Sequence, residues 1–403
     1  MRTVLTDGHV FDGSRFTRAD IAIEGDRITA VGTSLDGDAA ISLEGRSVLP
    51  GLFDCHVHVM FSHIDFWRHL NTSPSYRLLQ AAQNLRETLK VGITTVRDAG
   101  GADLGLKTAV VDGLTPGPRM QISIGIIGQT GGHSDGWLPS GTSLSMAHMD
   151  PQGPVDGPDE VRKRVREYIR AGADVLKVAT TGGVLSPRDD PRHAHFRASE
   201  LAVLAEEAEA AGKAFMAHAI GVDGIKAAVR AGARSIEHGI YLDDEAIDLM
   251  LDHGTYLVPT LAAPQGVLEA AEAGAALFPD SLAKVKEVVA VHAASFKRAL
   301  AAGIPIAMGT DSGITPHGAN LRELQLMKML GMSSQHAIAS ATTVAAGLLR
   351  VSDQLGEVAE GKKADLVVID GDLEDVSDLS SRIQAVFMDG SPVHTTKELI
   401  LER

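Results

Sequence analysis

Two histidines separated by a single residue, His56 and His58, are the first feature of the sequence that could carry chemistry. They lie in the run LPGLFDCHVHV, which covers Leu49–Val59. If this run is a β-strand, both imidazoles project from one face, because side chains at i and i+2 share a face. Two such imidazoles could bind one metal ion, since histidine is a common nitrogen ligand of zinc. One buried and one exposed histidine without a ligand would give the same pattern, so the metal interpretation needs further ligands.

Further candidate ligands follow short apolar stretches at similar distances from a preceding glycine. The pairs are Gly172 and Lys177, 5 residues apart; Gly212 and His218, 6 apart; Gly232 and His238, 6 apart; and Gly303 and Asp311, 8 apart. In each case an Ala- and charge-rich helical stretch ends at the glycine, which supplies the left-handed residue that often follows a helix. Because the offsets are similar, we predict that these side chains lie at similar heights and share one site with the histidine pair.

The elements that must position these residues form a repeating unit of helix, glycine and short apolar strand. Helices that alternate with apolar strands predict parallel βα units. The instances are LRETLKVGITTVRDAG, VREYIRAGADVLKVAT, AEEAEAAGKAFMAHAI, IKAAVRAGARSIEHGI, LMLDHGTYLVPTL and FKRALAAGIPIAMGTD. Adding the HVHV strand and MQISIGIIG gives eight strands, the number that closes a (β/α)8 TIM barrel, which carries its chemistry at the carboxyl ends of the strands.

Both ends of the chain have a different sequence pattern from the middle. Residues 1–49 and 356–403 contain short strand patterns bounded by Gly and Asp, which is typical of β-meanders. The sequence therefore predicts an α/β protein with two parts. The first is a small β-sandwich domain built from residues 1–49 and 356–403, and the second is the barrel of residues 50–355.

Composition excludes several classes of function. The 403 residues include 37 basic and 52 acidic ones, for a formal net charge of −15, and no basic stripe is present, so we expect no nucleic-acid partner. Cys55 is the single cysteine, which excludes an internal disulfide framework. No secretory signal pattern follows Met1, and no apolar run approaches the ~18 residues of a membrane span. We therefore expect a cytoplasmic protein without a membrane partner.

The ordered set of an HxH pair, a lysine, two histidines and an aspartate resembles the amidohydrolase superfamily, and in particular its binuclear members. Within the superfamily, the sequence is similar to the imidazolonepropionase-related branch, which contains prolidase-like Xaa-amino-acid dipeptidases. The resemblance covers essentially the whole chain. The segments that carry it are LPGLFDCHVHV, GGHSDG, LKVATTGGVLSPRDDP, HAIG, IEHGIYLDD and GTDSG.

The resemblance implies a site with two divalent metal ions, for which zinc is the metal we expect. His56 and His58 would bind one ion together with Asp311, and His218 and His238 would bind the other. Lys177 would bridge the two ions as an N6-carboxylysine, a carbamate formed with carbon dioxide. A free ammonium has no lone pair and would repel two cations, whereas a carbamate is an anion.

The resemblance also implies an amide hydrolysis that uses a metal-bridging hydroxide. Asp311 would take the proton of the bridging water and pass it to the departing amine, as a general base and then a general acid. Tyr241 would donate a hydrogen bond to the developing oxyanion. His133, in GGHSDG, would contact the free carboxylate of a dipeptide or another small-molecule substrate, and Arg188 would assist in that recognition.

Some alternatives stay open at this level. A mononuclear imidazolone-type ring hydrolase or deaminase on the same fold is the second interpretation, although such members need no lysine at position 177. The substrate could be an Xaa-Pro dipeptide, an Xaa-Arg or Xaa-Lys dipeptide, or an N-acyl amino acid. The aromatic-rich loop of residues 61–70 could be a lid or an interface, and we expect a homo-oligomer. We also expect Arg97 and Asp98 to form a structural pair at the barrel mouth.

Overall fold

The structure is a computed structural model that describes residues 1–138, 140–141, 153–186 and 189–396. Within these ranges sixteen strands are β1 (Arg2–Phe11), β2 (Phe16–Glu24), β3 (Arg27–Gly32), β4 (Ala39–Ser42), β5 (Arg46–Pro50), β6 (Leu52–Val57), β7 (Ile93–Asp98), β8 (Arg119–Ile122), β9 (Ile126–Ile127), β10 (Leu176–Ala179), β11 (Phe215–Ala219), β12 (Ser235–His238), β13 (Tyr256–Val258), β14 (Leu366–Asp370), β15 (Ile383–Met388) and β16 (Ser391–Thr395).

The helices lie mostly between the barrel strands, as the repeating unit predicts. They are α1 (Phe66–Leu70), α2 (Pro74–Lys90), α3 (Leu104–Val111), α4 (Pro158–Arg170), α5 (Ala198–Ala210), α6 (Val222–Arg230), α7 (Asp244–His253), α8 (Ala262–Glu272), α9 (Pro279–Ala302), α10 (Arg322–Met329), α11 (Ser334–Ser340) and α12 (Thr343–Leu348), with a 3-10 helix at Val376–Arg382. Where such a helix ends, glycine adopts the predicted left-handed conformation, with φ of 95° at Gly172, 66° at Gly212, 91° at Gly232 and 82° at Gly303.

The middle of the chain forms the predicted (β/α)8 barrel. Strands β6, β7 and β8 pair in parallel, and β9 to β13 form a second parallel run. The predicted third strand is split into β8 and β9, because Ile124 has φ +69° and the Gly125 N–H turns back to the Ser123 carbonyl at 2.9 Å. The two halves of this interrupted strand pair with β7 and β10 respectively.

The predicted eighth strand is an extended segment, residues 304–312, that joins β13 to β6. On one side, the Ala307 N–H donates to the Leu257 carbonyl at 2.9 Å. On the other side, the Cys55 N–H donates to the Met308 carbonyl at 2.9 Å and the Asp311 N–H to the His56 carbonyl at 2.7 Å. These backbone hydrogen bonds close the barrel and place Asp311 directly beside His56.

The two ends of the chain form one eight-stranded sheet, in the order β16-β15-β14-β5-β1-β2-β3, with β4 also paired to β1. The sheet folds over a core to which both ends contribute, for example Ile21 and Ile28 from one end and Leu366 and Phe387 from the other. This is the predicted β-sandwich, in which the two layers belong to one continuous sheet. Among the described residues, no helix has the length and apolar character needed to cross a membrane.

Candidate metal centre

All six predicted metal ligands line one pocket at the carboxyl ends of the barrel strands. His56 lies in β6, Lys177 in β10, His218 in β11 and His238 at the end of β12. The pocket wall includes the side chains of His56, His58, Lys177, His218, His238 and Asp311. The predicted convergence of these side chains at the mouth of the barrel is therefore present in the structure.

His56, His58 and Asp311 form the tightest group of donor atoms. The Asp311 Oδ1 atom lies 3.3 Å from His58 Nε2 and 3.6 Å from His56 Nε2. One donor atom from each residue lies within 4.8 Å of the others. The Oδ1 atom is also buried without a hydrogen-bond partner among the described residues. Because a buried carboxylate oxygen without a partner is costly, and because two imidazole nitrogens face it, this group fits a bound cation.

Two of the candidate ligands have unusual backbone conformations. His238 has φ +72° and Asp311 has φ +58°, and Thr260, which bonds to His238, has φ +52°. Residues other than glycine rarely adopt positive φ, and each such residue costs of order 1–3 kcal/mol. Strain of this kind persists where the surrounding structure imposes it, which is often at functional sites. The conformation turns these side chains into the pocket at the ends of β12 and the eighth extended segment.

Buried partners fix the orientation of the imidazole rings. His58 Nδ1 lies 2.8 Å from the Gly100 carbonyl, and His238 Nδ1 lies 2.7 Å from Thr260 Oγ1. Since these Nδ1 atoms are engaged, the Nε2 atoms are available to a ligand in the pocket. His218 uses the opposite nitrogen, because its Nε2 lies 3.0 Å from the Gly182 carbonyl. The rings of His218 and His238 pack edge to face, with their centroids 4.7 Å apart.

The partner of His56 is Glu237, a residue that the sequence reasoning missed. Glu237 is fully buried, and its Oε2 atom lies 2.6 Å from His56 Nδ1. Its Oε1 atom accepts a hydrogen bond from Arg97 Nη2 at 2.9 Å. The expected pairing of Arg97 with Asp98 is therefore wrong, because the Asp98 carboxylate instead accepts from backbone N–H groups, including that of Val59 at 2.9 Å. The sequence signal that could have identified Glu237 is a charged residue inside the short, otherwise buried strand β12.

Burial sets the charge state of most of the cluster. Burial lowers the pKa of His238 to about 3 and moves the pKa values of His56 and His218 well below their usual range. These imidazoles are therefore neutral near pH 7, which is the form that binds a metal. Burial alone would raise the pKa of Asp311, but the facing imidazoles of His56 and His58 lower it, so Asp311 is a carboxylate.

Lys177 is buried among the candidate ligands. Its Nζ atom lies 3.5 Å from His56 Nε2, and the side chain is 1% exposed. Burial lowers the pKa of the Lys177 ammonium to about 8. Part of the population therefore carries a neutral, nucleophilic amine near neutral pH, which an ordinary exposed lysine does not.

His133 reaches the pocket from the predicted glycine-rich loop. Its ring stacks on that of His218, with centroids 4.0 Å apart and planes 10° apart. Ser186 donates to Asp189 at 2.6 Å, so it accepts from His133 Nδ1 at 2.9 Å. Burial lowers the pKa of His133 to about 4. Gly183 permits this arrangement, because an added Cβ would lie 2.0 Å from His133 Nδ1.

One other predicted site residue, Tyr241, is not brought to the cluster. The Tyr241 hydroxyl donates to Glu287 at 3.1 Å, and the half-buried Tyr241 side chain packs against Ile220 and Ile240 without itself belonging to the pocket wall. Its predicted role as an oxyanion donor gains no support from this geometry. Arg188 lies outside the described residues. The loop predicted as a lid or an interface contributes Phe61, His63 and Asp65 to the pocket wall.

The pocket has an empty volume of about 1510 Å³ out to its solvent-facing mouth. Beyond the candidate ligands, its wall is dominated by apolar side chains. They are Phe61, Ile64, Ile126, Leu138, Val184, Leu185, Ile220, Ile240, Ala263, Pro264, Val267, Ala276, Leu277, Phe278 and Ile314. Lys177 is the one lysine or arginine among the described residues of the wall. The site can therefore accept a large apolar group next to the polar cluster.

The fold and the site define a barrel hydrolase with a group of side chains suited to a metal ion. The model of the Amidohydrolase family matches residues 47–397, and the chain belongs to this family. It is a hydrolase that acts on carbon–nitrogen bonds of amides.

Individual relatives support this assignment. Ochratoxinase of Aspergillus niger is 35% identical over 390 residues, which cover 91% of this chain and 80% of that protein. The crystal structure of a Xaa-Pro dipeptidase with bound methionine in the active site has a TM-score of 0.91 at 33% identity, and covers 98% of this chain and 100% of that one. A prolidase complexed with N-methylphosphonate-L-proline has a TM-score of 0.90 at 35% identity, with the same coverage. The predicted resemblance to prolidase-like amidohydrolases is confirmed.

Proposed function

We propose that the chain is a binuclear metal-dependent hydrolase of N-acyl amino acids, including dipeptides, with a large apolar group on the substrate. The observation that carries this proposal is the group formed by His56, His58 and Asp311, in which the buried Asp311 Oδ1 has no hydrogen-bond partner among the described residues. The proposed substrate class is supported by the relatives, which include a Xaa-Pro dipeptidase and an ochratoxinase.

Two divalent ions, with zinc as the expected metal, would lower the pKa of a water molecule and polarise the amide carbonyl when they are bound. His56, His58 and Asp311 would hold one ion, and His218 and His238 would hold the other. The neutral state of His56, His218 and His238 suits metal binding, whereas Asp311 raises the pKa of His58 against the effect of burial, so a bound ion would have to displace a proton from His58. The hydrogen bonds of His56 to Glu237 and of His238 to Thr260 would orient the rings toward the ions.

Lys177 would join the two sets as a carbamate. The ammonium would first release one proton; the neutral amine would then add to the carbon of carbon dioxide and release a second proton, so that an anion replaces a buried cation. The lowered pKa of Lys177, about 8, favours this reaction because it makes the neutral amine available. A mononuclear site does not require a lysine at this position. In this structure, however, Lys177 is 1% exposed and its Nζ atom lies 3.5 Å from His56 Nε2, which favours the binuclear proposal.

Asp311 would move the proton during hydrolysis. The facing imidazoles of His56 and His58 lower the pKa of Asp311, so it is a carboxylate that can accept a proton from the attacking water. It would then deliver that proton to the departing amine, so that the carboxylate is regenerated in each turnover. The hydrogen bond from the Asp311 N–H to the His56 carbonyl, at 2.7 Å, holds the backbone of Asp311 in place for this transfer.

His133 would bind the substrate carboxylate. Because Ser186 accepts from Nδ1, the neutral ring presents Nε2 as an acceptor, and a carboxylate there requires the imidazolium form. The charge of the carboxylate would raise the pKa of His133 and lead to proton uptake on binding. We expect His133→Gln to raise KM about tenfold for free acids, the order of one charge-assisted hydrogen bond, and to leave KM unchanged for the matching carboxamides.

The experiment that tests the proposed function is a comparison of N-acyl amino acids and dipeptides as free acids and as carboxamides, with acyl groups from acetyl to naphthoyl. We expect hydrolysis of the free acids, with kcat/KM rising with apolar size. His218→Gln should lose activity, whereas the exposed histidine variant His336→Gln should retain it. Equal rates for acids and carboxamides, or a preference for acetyl groups, would contradict the proposed substrate class.

A further inference from the structure

A second cavity lies at the opposite end of the barrel from the candidate metal centre. It has an empty volume of about 640 Å³ and is bounded by residues at the amino ends of β10, β11 and β12, including Lys213 and Arg234. Arg350, just after α12, and Arg97 also contribute to its wall. Lys213 is half-buried and Arg350 is exposed, so the cavity is open to solvent.

The cationic side chains of this cavity have few negative partners. Arg97 is neutralised by the buried carboxylate of Glu237, at 2.9 Å. Among the described residues, Lys213, Arg234 and Arg350 form no ion pair with a carboxylate. This is unusual in a chain that has 52 acidic residues and 37 basic ones.

The single carboxylate in the wall does not balance these charges. Both oxygens of Asp174 accept hydrogen bonds from Lys107 Nζ at 2.7 Å, and one also accepts from the Ile122 N–H at 2.9 Å. Asp174 is therefore already paired, and the wall keeps the positive charges of three side chains.

Arg234 is held in place without losing its charge. Its Nε and Nη2 atoms donate to the carbonyls of Leu348 and Gly347 at 2.6 and 2.5 Å, and its guanidinium lies 5.4 Å from the centre of the Tyr256 ring. Burial lowers the pKa of Arg234, and the positive charges of Arg350 and Arg97 lower it further. An anion between these groups would relieve the repulsion.

We propose that this cavity binds a small phosphate-type oxyanion, either free phosphate or the phosphate group of a small monoester. Guanidinium groups match the oxygens of phosphate in geometry and charge, and a partly buried site strengthens that attraction. Arg234, fixed by two backbone carbonyls, is the anchor, and Arg350 and Lys213 close on the anion from the solvent side. This site is separate from the proposed hydrolysis at the other end of the barrel.

The test is isothermal titration calorimetry of inorganic phosphate into the metal-loaded enzyme at constant ionic strength, set with sodium chloride. Arg350→Gln and Lys213→Gln each remove one positive charge from the cavity, and Lys297→Gln removes one from an exposed position on α9 as the matched control. We expect Arg350→Gln and Lys213→Gln to weaken phosphate binding about tenfold or more, and Lys297→Gln to leave it unchanged. The kcat of all three variants should stay at the wild-type value.

Phosphate could also bind at the metal centre, and the variants distinguish the two positions. Binding that is equal in all four proteins, or no binding to any of them, would overturn the proposal. A parallel titration with glycerol 3-phosphate identifies the source of the anion. If glycerol 3-phosphate binds more tightly than inorganic phosphate, the cavity binds the phosphate group of a monoester. If it binds more weakly, the cavity binds free phosphate.

Discussion

Replacing Glu237 with glutamine tests how the buried partner of His56 supports the metal centre. The carboxylate lies 2.6 Å from His56 Nδ1 and 2.9 Å from Arg97 Nη2, and it is fully buried. A glutamine of the same shape can accept from only one of these donors. Its amide group would point at the other donor, either the imidazole N–H or the guanidinium.

The size of the effect follows from these contacts. Glu237→Gln leaves the buried charge of Arg97 without a carboxylate, and breaking a buried ion pair on one side costs about 3–5 kcal/mol of the free energy of unfolding. The variant also loses the acceptor that holds the Nδ1–H tautomer of His56. Loss of such a partner of a metal-binding histidine typically weakens metal affinity about 10–100-fold. We therefore expect both a less stable protein and weaker metal binding.

Denaturant unfolding measures the first effect, and zinc titration in a chelator buffer measures the second. The double variant Arg97→Met with Glu237→Gln separates them, because it removes the buried charge together with its partner. We expect the double variant to recover most of the lost stability and to keep the weakened metal affinity. Metal affinity within about twofold of wild type in Glu237→Gln would refute the reasoning, since it would leave Glu237 with a purely structural role.

Three further predictions use single residues. Asp311→Asn should lower kcat by at least about 10²-fold, because the proton acceptor is lost. The thermal unfolding curve should stay cooperative, because asparagine tolerates the φ of +58° at this position. A near-normal kcat would exclude the proposed proton transfer by Asp311. Tyr241→Phe should change kcat by less than about threefold, because the hydroxyl donates to Glu287, and a loss of about 10²-fold would restore the oxyanion role. Burial raises the pKa of Glu323 to about 8, so between about pH 5 and pH 8 the folded state keeps a proton that the unfolded state has released. The contribution of Glu323 to the free energy of unfolding should therefore fall by about 1.4 kcal/mol per pH unit as pH rises. Denaturant unfolding gives the free energy of unfolding of wild type minus that of Glu323→Gln. We expect this value to be about 2 kcal/mol lower at pH 7.5 than at pH 6. The same value at both pH values would contradict the raised pKa of Glu323.

The sequence predicted the parts of the molecule that follow from local periodicity. Glycines such as Gly212 and Gly303 mark helix ends because only glycine adopts left-handed φ without cost, and the repeat of helix, glycine and apolar strand predicted the barrel. The candidate ligands converge for the same reason, since parallel strands that start at the same level also end at the same level. The split third strand was not predictable, because the φ of +69° at Ile124 opposes the β propensity of isoleucine.

The contacts that orient the ligands could not be read from spacing. Glu237 meets His56 across 181 positions of the chain, and Thr310 and Asn320 bind the buried Asp54 from 256 and 266 positions away. Such pairs depend on how strands lie side by side in the closed barrel. The hydrogen bond of Tyr241 could not be read from spacing either, because its partner, Glu287, comes from α9.

The measurement that tests the central proposal most directly is the number of metal ions per chain, determined by inductively coupled plasma mass spectrometry. The protein is prepared with bicarbonate, which supplies the carbon dioxide for the Lys177 carbamate. We expect two divalent ions per chain in wild type and at most one in Lys177→Ala, with loss of amide hydrolysis in that variant. One ion per chain in fully active wild-type enzyme, or two ions in an active Lys177→Ala variant, would contradict the proposed binuclear centre.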